Sequence, residues 1–189
     1  MDRIAVTETF DAIVVGSGAA GSVVAATLAE AGKSVLVLEA GPERTLSDLS
    51  SSQIWARKLK WGGAYVEEEG ELKIGNAFNS GFGTGGSAVH HFGVWPRLHE
   101  NDFKVATQYG RGLDWPIDYQ TLQPFYDRIQ DTVGLSGDAK AEKWRPAGKP
   151  YPMGPLPVFA QGQVLALGFK KLGLTTAPMP MAINSREYK

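Results

Sequence analysis

The chain has 189 residues, of which 43% are hydrophobic and 21% charged, a balance typical of globular proteins rather than disordered or fibrous ones. Its 19 basic and 20 acidic residues give a formal charge of -1, which argues against nucleic acid or an anionic membrane surface as a partner. It has no cysteine, which excludes disulfides, thiolate metal sites and a cysteine nucleophile.

An uncharged stretch over residues 12–29 is too rich in glycine and hydroxyl side chains to predict a membrane span. The residues before it do not have the composition of a secretory signal. The expected location is the cytoplasm, with periplasmic export alongside a signal-bearing partner subunit as the alternative.

A strand, a glycine-rich turn, a helix and a second strand are predicted next to one another. Residues 11–15 (DAIVV) form an apolar, β-branched run, and a helix is predicted over residues 22–31 with Gly32 just after its end. The second strand covers residues 34–38. The turn between the first strand and the helix consists of Gly16, Ser17, Gly18, Ala19, Ala20 and Gly21. This order predicts a dinucleotide-binding βαβ unit.

Each glycine of the turn has a separate role in such a unit. Gly16 permits the tight turn, Gly18 lets the main chain touch a pyrophosphate, and Gly21 lets the helix pack close to the strand. The phosphates then lie at the helix N-terminus, where unpaired N–H groups favour anions. Glu39 follows Gly21 by 18 residues, close to the roughly 20 expected for the acid that binds a ribose diol. Its charge disfavours a 2′-phosphate, and therefore NADP.

Residues 11–41, which end in Glu39-Ala40-Gly41, resemble the FAD-binding segment of the glucose-methanol-choline (GMC) oxidoreductases. The resemblance implies FAD as the cofactor and adds Ala40 to the residues that bind it. An NAD-linked dehydrogenase is an alternative that shares the turn, although it leaves a second glycine cluster unexplained.

Residues 50–60 predict a short helix and residues 64–74 a hairpin, with an acidic run at 67–69 that is interpreted as a solvated turn. The second glycine cluster follows, with six glycines between residues 75 and 93 and no helical or strand period. It predicts a loop. Flexibility alone is one interpretation, but the aromatic residues Phe92, Trp95 and Phe103 argue for packing.

The second cluster also resembles a GMC segment, the stretch in which backbone runs along the isoalloxazine ring. The residues that match are Gly85, Gly86 and Ser87, followed by Arg97. Some family members have a Gly-Gly-x-x-x-His pattern whose histidine is bonded to the flavin 8α-methyl carbon, and His90 has that spacing. The resemblance therefore implies FAD attached covalently through His90; the alternatives are a packed histidine or a noncovalent flavin neighbour. His91 departs from the family pattern, and His99 is interpreted as a surface or capping residue.

The C-terminal part of the sequence predicts two helices joined by irregular chain. The first runs from a cap at Asp118 or Gln123 to Val133, with Pro124 in its first turn and an apolar core face of Leu122, Phe125, Tyr126, Ile129 and Val133. Residues 134–157 predict an extended crossing segment or a lid over the flavin. A helix over 161–172 and an irregular or edge strand over 174–183 follow.

The predicted fold class is α/β, a Rossmann-like FAD-binding βαβ unit of the GMC type that is incomplete in this chain. Residues 1–133 are predicted as the N-terminal part of the FAD-binding domain, with the dinucleotide unit at 11–41 and the flavin loop at 81–97. Residues 134–189 are the crossing segment and the start of a further region. The rest of the enzyme is expected to be absent or on another chain, because no second strong βα unit follows Leu38.

Within the family, the Pro96-Arg97 pair, Asp102-Phe103 and residues 114–117 (DWPI) are similar to the gluconate, sorbitol and fructose dehydrogenase large subunits and related sugar oxidoreductases. The resemblance implies oxidation of an alcohol group on a sugar or polyol by hydride transfer to flavin N5. No catalytic residue and no metal ligand is predicted here, so activity requires a complementary chain or C-terminal half, and an electron-accepting subunit is a further expected partner. The alternative is a noncatalytic assembly or nucleotide-binding subunit.

Overall fold

The computed structural model describes residues 8–48, 68–71 and 81–189. The predicted helix over 50–60 lies outside these residues, as does most of the predicted hairpin over 64–74. The chain divides into two compact units, residues 1–91 and residues 92–189. The division predicted after Val133 concerns the domains of a complete enzyme and stays a prediction.

The first unit contains the predicted βαβ arrangement. Strand β1 is Ala12–Val15, helix α1 is Ala19–Glu30 and strand β2 is Val35–Leu38. The strands are parallel, with Ala12 opposite Val35 and Val15 opposite Leu38. Helix α1 begins three residues earlier than predicted because the extended residue before it, Gly18, is already the N-cap. The α/β class is confirmed, with a short parallel sheet.

A polar pair fixes the register of the two strands. The Asp11 carboxylate accepts hydrogen bonds from the N–H and the hydroxyl of Ser34 at 2.9 and 3.0 Å, and the Asp11 N–H donates to Ser34 Oγ at 3.0 Å. The Ser34 backbone and side chain lower the pKa of Asp11, since both bonds favour the charged carboxylate. Because these residues precede β1 and β2, the two strands start level with each other.

The described part of the sheet has only these two strands, and its apolar residues are poorly covered. Ile13 is 60% exposed and Val15 82% exposed, and helix α1 has no buried residue. Strands of a parallel FAD-binding sheet are normally buried on both faces. The unit therefore represents part of such a sheet, as predicted.

The second unit contains helices α2 (Val105–Tyr109), α3 (Tyr119–Val133) and α4 (Ala160–Lys171). Asp118 caps α3: its carboxylate accepts from the N–H of Thr121 at 2.8 Å and from its hydroxyl at 2.7 Å. With this cap, Pro124 is the sixth residue of the helix. Its predicted first-turn position is wrong, because the strong cap at Asp118 starts the helix five residues before the alternative cap at Gln123.

The predicted apolar core face of α3 is confirmed only in part: Leu122, Tyr126, Ile129 and Val133 are half-buried. Phe125 is 62% exposed, and the buried residues of the helix are Tyr119, Asp127 and Gln130. The apolar members of the buried core of this unit are Phe103, Tyr119, Leu135 and Met153. Two of the three buried residues of α3 are therefore polar, while its apolar face is only partly covered.

Residues 134–137 are buried at the centre of the second unit rather than extended across a surface. Ser136 exchanges two backbone hydrogen bonds with Met181, both of 2.9 Å, and Gly137 N–H donates to the Met153 carbonyl at 3.1 Å. Met181 also forms a single antiparallel bridge with Val94. The strand predicted over 174–183 is thus reduced to isolated bridges, since Pro178 and Pro180 cannot donate to a continuous ladder.

Across residues 8–48, 68–71 and 81–189, the structure contains no helix with both the length and the apolarity to cross a bilayer. In the same ranges, histidine and carboxylate side chains do not gather in threes as a metal site would require.

Candidate cofactor site

The turn between β1 and α1 has the backbone geometry of a phosphate site. Gly16 has a φ of +92°, which side-chain-bearing residues rarely adopt. A Cβ on Gly21 would lie 2.0 Å from the Gly16 carbonyl oxygen, so only glycine allows the helix to approach the turn this closely. Both predicted roles match the geometry of the turn.

Helix α1 presents an open N-terminus beside Gly18. No side chain caps the helix, and its first turn contains no acidic residue. A Cβ on Gly18 would meet no atom within 4 Å, so there is open space directly in front of this backbone. Ala19 and Ala20 are the first two helical residues and add only methyl groups. Free N–H groups at a helix N-terminus attract anions, so these residues fit the pyrophosphate of a dinucleotide.

Glu39 lies at the end of β2 and reaches back to this turn. Its Oε2 accepts from the Ser17 N–H and the Ser17 hydroxyl, both at 2.8 Å, and its Oε1 accepts from the Gly41 N–H at 2.9 Å. These bonds, above all the one from the Ser17 N–H, lower the pKa of Glu39 to about 2. The carboxylate is therefore ionised at neutral pH, as a ribose acceptor must be.

The low pKa of Glu39 predicts a pH-dependent contribution to stability. Because the folded-state pKa is below the usual 4.5, the contribution is present above pH 4.5 and is lost as the pH falls towards 2. We expect Glu39→Gln to unfold at lower urea than the wild type at pH 6, and the difference to shrink on acidification to pH 3. Glu43→Gln, on the exposed chain nearby, is the control. A difference that stays constant with pH would contradict this role.

The second glycine cluster contacts the dinucleotide turn within the first unit. The Gly85 N–H donates to the Ser17 carbonyl at 3.0 Å, and Gly18 and Gly85 form an isolated parallel bridge. The cluster is not wholly a loop, because Gly86–His90 forms a 3-10 helix. The structure thus brings together the two motifs that the sequence linked to one cofactor.

Close approach between backbone segments accounts for several glycines in and beside the second cluster. A Cβ on Gly41 would lie 2.1 Å from Gly83 N, one on Gly81 would lie 2.3 Å from the Gly86 carbonyl oxygen, and one on Gly86 would lie 3.2 Å from Gly18 Cα. Part of the glycine content of the cluster is therefore required by the packing of one backbone segment on another. Contact of Gly85 and Gly86 with a flavin stays a prediction.

Gly93 packs against residues 182 and 183 rather than against the dinucleotide turn. It lies in the second unit, where its carbonyl accepts from the Ala182 N–H at 2.6 Å and a Cβ would press against the Ile183 side chain at 3.0 Å. Its glycine is accounted for without a cofactor.

The remaining polar residues of the cluster occupy distinct positions. Ser87 Oγ accepts from the Gly81 N–H at 2.9 Å and so holds the two ends of the loop together. His90 is the last residue of the 3-10 helix, half-buried, with its Nδ1 atom buried, and His91 is exposed. Ala40 is exposed beside the half-buried Glu39. His99, in the second unit, is exposed at the N-cap of a short 3-10 helix, as interpreted from the sequence.

Arg97 is buried in the second unit and hydrogen-bonded on two sides. Its Nη2 donates to Asp127 Oδ1 at 2.6 Å and to Gln130 Oε1 at 2.7 Å, while its Nη1 donates to the Tyr119 hydroxyl at 3.0 Å and the Ala147 carbonyl at 3.3 Å. Burial would lower the pKa of Arg97, but the bonds to Tyr119 and Asp127 outweigh it and raise the pKa. The guanidinium stays charged, and both of its Nη atoms donate hydrogen bonds within the second unit.

This network gives Arg97 a structural role that sequence reasoning missed. Asp127 also accepts from the Lys149 N–H at 2.8 Å, and a Cβ on Gly148 would lie 2.0 Å from Arg97 Nη1. The guanidinium thereby fastens the chain at 147–149 to helix α3. Asp127 and Gln130 do not stand out in the sequence, because Gln120, Gln123 and Asp131 on the same helix are also polar. Flavin contact by Arg97 stays a prediction, and both Nη atoms of its side chain already donate to residues of the second unit.

Comparison with known proteins agrees with a dinucleotide-binding fold. The FAD binding domain family matches residues 11–68, which contain the turn and Glu39. The chain is 29% identical over 96% of its length to the fructose dehydrogenase large subunit of Gluconobacter japonicus and spans 38% of that protein. It is 35% identical over 67% of its length to the 2-methyl-1,2-propanediol dehydrogenase of Mycolicibacterium austroafricanum and spans 25% of it.

Among solved structures, pyridoxine 4-oxidase from Mesorbium loti shares the fold with a TM-score of 0.59 at 24% identity, over 93% of this chain and 37% of that one. The chain therefore spans well under half the length of these relatives. The resemblance to the GMC-type oxidoreductases is confirmed: the chain contains an FAD-binding domain, and its relatives are members of that family.

Proposed function

We propose that this chain is the FAD-binding portion of an oxidoreductase that oxidises an alcohol group of a sugar or polyol. The observation that supports this most is the cluster of three features in the first unit: the open N-terminus of α1 at Gly18, the ionised Glu39, and the Gly85 loop hydrogen-bonded to Ser17. A phosphate site, a ribose acceptor and a glycine-rich surface for a ring are the parts that FAD requires.

Each of these three features is proposed to bind a different part of FAD. The pyrophosphate lies on the backbone of Gly18, Ala19 and Ala20, and the adenosine ribose donates to Glu39. The ring lies along the backbone of Gly85, Gly86 and Ser87. Glu39 selects against a 2′-phosphate, because two negative charges at hydrogen-bond distance repel each other strongly.

FAD held in this way supplies a hydride acceptor for alcohol oxidation. No residue of this chain is proposed to remove the hydroxyl proton, and that group is assigned to the portion of the relatives' length that this chain does not match. A sugar or polyol is favoured as substrate because two of the relatives are, by name, a fructose dehydrogenase and a propanediol dehydrogenase.

A partner chain is part of the proposal. One relative is named as a large subunit, which supports an assembly in which another chain or the C-terminal half supplies the substrate site. A further subunit then accepts the electrons from the reduced cofactor.

Covalent attachment through His90 is the finer form of the proposal. His90 has the Gly-Gly-x-x-x-His spacing and ends the 3-10 helix that begins at Gly86. Attachment replaces one C–H bond of the 8α-methyl group with a bond to an imidazole nitrogen. Two protons are released, and two electrons pass to the flavin and then to the electron acceptor.

A flavin titration tests these statements together. We expect the purified chain to bind one FAD and to retain yellow colour in the pellet after acid precipitation. The complete enzyme, with the part that supplies the substrate site, should in addition lose its visible flavin absorption when a sugar or polyol substrate is added without oxygen. His90→Ala should bind FAD but release it into the acid supernatant, whereas His91→Ala should behave as the wild type.

Different failures contradict different parts of the proposal. Colour released from the wild type by acid would contradict attachment only. FAD that binds but is never reduced by any alcohol, even with the complete enzyme, would favour a noncatalytic assembly subunit. Protein that rejects FAD would contradict the proposed function itself.

A further inference from the structure

Glu39 is held in place before any ligand arrives. Three donors contact its carboxylate at 2.8–2.9 Å: the Ser17 N–H and Ser17 hydroxyl on Oε2, and the Gly41 N–H on Oε1. The Gly83 backbone also lowers the pKa of Glu39, but by less than Ser17 and Gly41 do. Oε2 accepts two of these hydrogen bonds and Oε1 accepts one, so Oε1 has the greater remaining capacity to accept a further donor.

Ser17 is itself fixed from the opposite side. Its carbonyl accepts from the Gly85 N–H at 3.0 Å and from the Ser22 hydroxyl at 2.9 Å. The residue is therefore tied to helix α1, to the Gly85 loop and, through Glu39, to the end of β2. A hydroxyl on such a constrained backbone has few other orientations available.

We propose that Ser17 is a positioning residue for the nucleotide: its hydroxyl fixes the Glu39 carboxylate so that Oε1 accepts a hydroxyl of the adenosine ribose. This inference rests on the proposed FAD site. A free glutamate side chain loses rotamer freedom when it binds a ligand, and that cost opposes binding. At this site the protein has already ordered the side chain during folding, so the ribose diol binds a prepared acceptor.

A comparison of two ligands isolates this role. The probes are ADP and 2′,3′-dideoxy-ADP, which has no ribose diol, and their affinities are measured by calorimetry with the full chain. We expect Ser17→Ala to weaken ADP binding about fivefold, the loss of roughly one hydrogen bond, and to change binding of the dideoxy compound less than about twofold. A serine that merely supported the turn would weaken both ligands alike.

Thr27→Ala is the matched control, because it removes an exposed hydroxyl of the same helix, ten residues along the chain from Ser17. It should change both affinities by less than about twofold, and circular dichroism melts check that each variant is folded. Equal weakening of both ligands by Ser17→Ala, or no weakening of either, overturns the positioning role while wild-type FAD binding upholds the site. Wild-type protein that binds neither FAD nor ADP overturns both.

Discussion

Alanine at position 21 is expected to destabilise the chain and to weaken FAD binding, whereas alanine at position 18 is expected to weaken FAD binding alone. In Gly21→Ala the added Cβ would lie 2.0 Å from the Gly16 carbonyl oxygen, so helix and turn must move apart. Forced displacements of this kind cost about 1–3 kcal/mol. The moved N-terminus of α1 should also bind FAD at least roughly tenfold more weakly, as about 1.4 kcal/mol of lost interaction implies.

The Gly18→Ala substitution separates the effect on stability from the effect on FAD affinity. Its Cβ would meet no protein atom within 4 Å, so Gly18→Ala should change the free energy of unfolding by no more than about 1 kcal/mol. The same methyl group would stand where the pyrophosphate approaches the backbone. FAD affinity should therefore fall roughly 100-fold, which corresponds to about 2.7 kcal/mol.

Urea unfolding of the apoprotein and FAD titration measure the two quantities. Gly168→Ala, in an open position of helix α4, is the control and should leave FAD binding unchanged while adding up to about 1 kcal/mol of stability. Normal FAD affinity in Gly18→Ala would contradict the phosphate assignment, and wild-type stability in Gly21→Ala would contradict the packing argument.

Removal of Arg97 is expected to be among the most damaging single changes in the second unit. Arg97→Ala leaves Asp127 and Gln130, which are 9% and 1% exposed, without their shared cation. Breaking a buried ion pair from one side typically costs about 3–5 kcal/mol. We expect a loss of stability in this range, with Arg97→Lys intermediate because lysine cannot form the same fork of hydrogen bonds.

A surface ion pair between the same two segments, α3 and residues 147–149, provides the control. Lys149 Nζ lies 3.6 Å from Asp131 Oδ2, but the two side chains are 65% and 40% exposed. Lys149→Ala should therefore cost less than about 1 kcal/mol, since solvent screens such pairs. If Arg97→Ala unfolded like the wild type but lost FAD affinity, Arg97 would be a cofactor contact and not a fastening for residues 147–149.

The first unit could be predicted closely because its information is local. The order of apolar run, Gly16 to Gly21, helix and Glu39 defines a βαβ unit through neighbouring residues, and both strands and the helix are found within a few residues of their predicted bounds. The Asp11–Ser34 pair and the Ser17–Glu39 bonds were not predicted, because each joins residues more than 20 positions apart.

The second unit shows where pattern reasoning fails. The periodicity of α3 correctly predicted a helix, but burial followed the polar side chains at 127 and 130 and left Phe125 exposed. A single sequence does not reveal that Arg97, 30 residues before Asp127, supplies the partner that allows this carboxylate to be buried.

The sequence by itself therefore determined the α/β class, the dinucleotide turn and the FAD-binding family, because those depend on residue types at short, fixed spacings. Only the tertiary structure decided which glycines face open space and which face another backbone, and that Arg97 is enclosed by α3 and residues 147–149. The physical reason is the same in both cases: close approach and burial are properties of pairs of distant segments, and each segment alone is compatible with several partners.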